Sequence, residues 1–174
     1  MNIFTYFIIL IRYLFIKLTI MGIKLSYKYN YLIRFGILIL SFLTPFIMFF
    51  FHGKLGSISS YWETQFQPLF IITNALTTYI FITLPKWRIS AILLFLLTIF
   101  SVEYHLSLHN IFAIGFFASN LYPLLSIKRY RVLTIPYFLS LIWLPNLFLA
   151  EVHAIIVLCL YHTILMWKFY KLKK

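Results

Sequence analysis

The chain has 174 residues, of which 63% are hydrophobic and 21% aromatic, and only 10% carry a charge. Soluble domains carry about 25% charged residues, and apolar runs of membrane-spanning length recur here from end to end, so an ordinary water-soluble fold is excluded. The formal charge of +12 does not point to nucleic acid, because the Lys and Arg residues sit in small groups between apolar segments and form no basic face.

The expected fold is all-α: a polytopic integral membrane bundle of six transmembrane helices forming one domain over residues 23–174, after an N-terminal apolar segment, residues 1–22. That first segment contains Arg12 and Lys17, each of which costs about 2.5–3.5 kcal/mol at the centre of a bilayer. It therefore reads as an interfacial helix, or as an extension ahead of a translation start at Met21. The spans follow at 31–51, 68–84, 89–102, 111–127, 132–150 and 152–167. Short connections favour antiparallel neighbours.

Lys24, Lys28 and Arg34 lie ahead of or in the first turn of the first span, Lys86 and Arg88 follow the second, and Lys128, Arg129 and Arg131 follow the fourth. Lys168, Lys171, Lys173 and Lys174 close the chain, while the opposite loops hold only Lys54. Positive charge marks the cytoplasmic side, so both termini are expected there, in a bacterial inner membrane. Trp87 and Trp167 fit the inner interfacial belt and Trp62 the outer one.

The stretch 102–112, VEYHLSLHNIF, concentrates the scarce polar groups. Only 14 apolar residues lie in the third span and 17 in the fourth, whereas a crossing needs about 20. The third helix is thus expected to continue through Glu103, Tyr104 and His105, and the fourth to begin near Leu108. All three carboxylates (Glu63, Glu103, Glu151) and four of the five histidines (His52, His105, His109, His153) then fall on the non-cytoplasmic side. A bland origin exists: acids gather where basic residues are kept away, and histidine tolerates an interface.

The sharper reading is a shared site. His105 and His109 project from one face of a continuous helix, a spacing that suits two imidazoles on one divalent ion such as Zn²⁺. Glu151 or His153 supplies a third ligand, and Glu103 is left as the general base for a metal-bound water. His162, in the inner half of the last span, reads as a buried histidine hydrogen-bonded to Asn74 or Asn120. There is no Asp, no P-loop and no GxGxxG, and the single Cys159 forms no internal disulfide. Ser57, Ser59 and Ser60 share the outer side with the histidines, without a GxSxG context.

Two motifs carry a resemblance. GSISSYWET, residues 56–64, resembles the SISxYYxT-type loop of small bacterial relatives of the CREST superfamily, membrane proteins that include alkaline ceramidases. HNIFAIGFF, residues 109–117, resembles a helix of those relatives that carries a His, a small residue and paired aromatics. The resemblance implies a seven-helix, metal-dependent amide hydrolase with a Ser, an Asp and three His at its site. Ser59 and His109 carry over, Glu103 stands in for the acid, and the last span lacks the HxxxH of the family.

Three functions remain open: a metal-dependent hydrolase of a lipid or lipid-linked substrate, a non-catalytic scaffold or accessory subunit meeting a membrane-protein partner, and a small transporter. The partners expected are membrane lipids and not nucleic acid. A hydrolase requires the polar side chains to converge on one cavity. A scaffold leaves them dispersed, and a transporter needs a polar track from Glu151 toward His162.

Overall fold

The computed structural model describes residues 27–172, so the N-terminal segment 1–22 lies outside the described residues. The chain divides into a unit of residues 1–32 and a larger one of residues 33–174. Among the described residues there are helices and no strands. Among those same residues, three segments are long and apolar enough to cross a membrane: Tyr31–His52, Val102–Ser126 and Leu147–Lys168.

Helix α1, Tyr27–His52, runs through Pro45 and stops at Gly53. Gly53 adopts φ 84°, and its N–H donates back to Phe49 O at 2.8 Å. A glycine just past the last turn ends a helix this way because it has no Cβ to clash in the left-handed region. A loop follows, with a 3-10 turn at Ser59–Glu63. Helix α2, Gln67–Ile82, opens with Pro68 in its first turn, where the missing N–H costs no hydrogen bond.

Pro85 begins a second 3-10 turn and then α3 covers Arg88–Ile99. Here the structure corrects the expected third span. At 12 residues, α3 is about 18 Å long. It does not continue through Glu103, Tyr104 and His105. Phe100 and Ser101 turn to extended backbone, and the Ser101 hydroxyl accepts the Tyr104 N–H as the cap of α4, Val102–Ser119. The polar stretch is thus the opening of α4. The helix end is placed by a serine able to cap it, which apolar counting does not weigh. Ser90 and Ser119 bond across the α3–α4 pair at 2.8 Å, and Leu93 packs beside Gly115.

A short helix α5, Leu121–Ser126, extends the α4 line beyond Asn120. The expected fifth span is broken: α6 covers only Thr134–Leu139, between 3-10 turns at Lys128–Leu133 and Ser140–Trp143. Pro136 and Pro145, which lack the N–H a helix needs, punctuate it. The last helix, α7, spans Leu147–Leu172 and starts five residues before the expected 152.

The largest core cluster includes Phe81, Trp87, Leu94, Phe116, Leu124, Tyr137 and Tyr161. Trp87, expected in the inner interfacial belt, is only 2% exposed and packs on Phe81 at 4.8 Å. Tyr137 donates to Phe117 O at 2.9 Å and accepts from Asn120 Nδ2 at 3.3 Å, tying the broken segment to α4. A second cluster, around Met48, Tyr61, Phe70 and Phe148, lies under the loop after α1. Large apolar side chains such as Phe50, Ile89, Ile114 and Ile135 coat the exterior, a surface suited to lipid and not to water.

Candidate functional site

The loop after α1 is fastened to the start of α7. Phe148 N–H donates to Gly56 O at 3.1 Å, and Glu151 Oε2 accepts the Ile58 N–H at 2.5 Å. The Ser59 hydroxyl lies beside the same carboxylate. Tyr61, fully buried beneath the loop, donates its phenol to Gly53 O. Burial pushes that phenol above its ordinary value and keeps it a donor. Glu151, Ser57 and Ser59 are all buried. A carboxylate out of water survives only with such partners.

These groups form one end of a cavity of about 860 Å³. It is a groove open to the exterior: its walls come from α4, α7 and the broken segment between them and are mainly apolar, including the exposed Leu106, Ile114 and Leu141, and its polar lining includes Ser57, Ser59, His109, Asn110 and Glu151. His109 is 2% exposed. Its Nδ1 lies 2.7 Å from Phe100 O. A carbonyl only accepts, so Nδ1 carries the proton and Nε2 is left with a lone pair. That Nε2 is buried and has no hydrogen-bond partner. The strand-like turn at Phe100 that shortened α3 is what presents this carbonyl to His109. A large apolar pocket with a few convergent polar groups is the usual form of a small-molecule site.

The other expected site residues are placed differently. Glu103 and His105 are exposed and His153 is half-buried. None of the three lines the cavity. His105 has φ −143° and ψ 45°, a break inside α4, so the one-face geometry assumed for His105 and His109 on a continuous helix does not hold. Among the described residues, no group of three or more His, Cys, Asp and Glu side chains converges as a metal site. His105, His109, Glu151 and His153 are thus not gathered around one point among the described residues.

His162 also departs from expectation. Its Nε2 has no hydrogen-bond partner, and its ring packs 4.7 Å from Phe81 and 4.3 Å from Trp87. Asn120 serves Tyr137 instead. Sequence reasoning missed the hydroxyl pairs Ser41–Thr77, at 2.8 Å, and Thr44–Thr73, at 3.0 Å, between α1 and α2. Their spacings of three and four along each helix were the available signal, since such positions share a face.

Compared with protein-family models, curated proteins and solved structures, the chain shows no match in any of the three.

Proposed function

We propose that this chain is a six-pass membrane protein with cytoplasmic termini that takes a lipid or lipid-linked substrate into the large cavity and hydrolyses it. The alternation of Lys and Arg between segments supports the six passes. The shorter apolar helices, Gln67–Ile82 and Arg131–Trp143, and α3 complete the count.

One observation carries the catalytic reading: a buried histidine with its tautomer set by Phe100 O and its Nε2 free, in the same apolar cavity as Ser59 and Glu151. The apolar walls receive an acyl chain. The free Nε2 takes a proton from the attacking hydroxyl, whether of Ser59 or of water, and returns it to the leaving group as the ester or amide bond breaks. Glu151 holds the loop that carries Ser59. This is the hydrolase class that the CREST resemblance implies.

The test is hydrolysis of fluorogenic acyl esters and amides of increasing chain length by protein in lipid nanodiscs, beside Ser59→Ala and His109→Gln. Turnover that rises with chain length and is lost in His109→Gln supports the reading. Turnover by neither ester nor amide, or full turnover in His109→Gln, removes it. A second reading, an accessory membrane subunit, is favoured by the outward placement of Glu63, Glu103 and His105. It predicts no turnover and a stable co-purifying membrane partner.

A further inference from the structure

A second cavity, of about 80 Å³, lies inside the bundle among α1, α2, α3, α4 and α7. It shares Ser59 and Glu151 with the large cavity and also touches His162. Glu151 and His162 are 11 residues apart on α7, so they stand about 16 Å apart along the helix axis. The walls between them are mainly apolar, and Ser41, Thr44, Thr73, Asn74 and Thr77 contribute polar groups to them.

The hydroxyls of these walls are bonded to one another and to their own helices, and they keep acceptor lone pairs turned to the space. The Ser41 hydroxyl lies within reach of Ile37 O and that of Thr77 within reach of Thr73 O, each at 2.8 Å, and the two hydroxyl oxygens face each other at 2.8 Å. Each hydroxyl has one proton and two lone pairs, so one of the pair donates to the other and the pair retains acceptor sites for a further donor. His162 is 2% exposed, and its buried Nε2 has no partner. Asn74, half-buried, brings an amide to the same walls. An unpartnered polar group beside a space is met by water where the space holds it, and each water needs about 10–15 Å³ of such volume. The crevice has room for several.

We propose that this crevice binds a chain of waters that forms a proton path between Glu151 and His162. Each water accepts one proton and releases another, so charge moves between the two ends while no heavy atom travels. Beyond His162 the path is closed by the rings of Phe81, Trp87 and Tyr161, and the charge acting on His162 from α1 is that of Arg34. The path links the polar end of the large cavity to the opposite half of the bundle. It stands whether or not the large cavity is catalytic.

The experiment is water-edited solid-state NMR on ¹⁵N-histidine-labelled protein in lipid, with the His162 signal identified by its loss in His162→Phe. The expected result is water-to-imidazole transfer at His162 on the timescale seen for the exposed His52 and His105. Asn74→Leu, which fills the crevice, should slow that transfer several-fold and leave His52 unchanged. Thr77→Val is the second variant, smaller in volume change and expected to act in the same direction. No transfer to His162 while His52 and His105 receive it overturns the proposal, as does transfer that neither variant alters.

Discussion

The Glu151 carboxylate accepts the Ile58 backbone N–H across 93 positions of sequence. This bond joins the start of the last helix to the loop after the first, and it sets Ser59 against the wall of the large cavity. Removing the carboxylate leaves a buried N–H without its partner, a loss of about 1–3 kcal/mol. Glu151→Ala should lower the melting temperature in detergent by several degrees, while Glu151→Gln, which keeps an acceptor oxygen, should lower it less. Equal melting temperatures for all three proteins would show that the bond contributes nothing.

His109 is placed to move a proton. General acid–base groups contribute about 10²–10⁴-fold in rate, so His109→Gln should reduce turnover of any substrate found by about that factor while the protein remains folded. The contrast is with His105→Gln at the exposed break in α4, for which turnover should stay within a factor of about two of the parent. A matched loss in both variants would return the two histidines to a common site.

The metal reading has its own test. The expected ligands His105, His109, Glu151 and His153 do not converge, so elemental analysis of purified protein should find less than one tightly held divalent ion per chain. Chelation should leave both melting temperature and turnover unchanged. One zinc per chain, lost in His105→Ala/His109→Ala, would contradict this arrangement.

Gly53 closes α1 at φ 84°, where an L-residue with a Cβ costs about 1–2 kcal/mol. Space is not the obstacle, because nothing lies within 4 Å of a Cβ built there. Gly53→Ala should therefore destabilise through backbone conformation alone, and Gly56→Ala, at an open position with no such φ, should not. Thermal melts of the two variants give the comparison.

Orientation is checked with single cysteines in a Cys159→Ala background. Lys54→Cys should react with an impermeant thiol reagent from the outside of intact cells, and Lys86→Cys only after lysis. Reaction of both from the same side would break the alternation on which the six passes rest.

The sequence by itself determined that this chain is helical and apolar enough for a membrane, because composition and run length depend on no partner. It located the first, second and last apolar helices well, since 31–51, 68–84 and 152–167 fall within α1, α2 and α7 apart from two residues after α2. It also singled out Ser59, His109 and Glu151, by resemblance and by the rarity of such groups. The tertiary structure alone decided which of them meet. The α3 end at Ile99, the capping of α4 by Ser101 and the break at His105 follow from local hydrogen bonds that apolar counting does not register. They turn His109 inward onto Phe100 O and leave Glu103 and His105 outside. The meeting of Glu151 with Ile58 and Ser59 is a contact between distant segments. A period of hydrophobicity says which face of a helix is buried, but only the packing of the helices says what that face finds there.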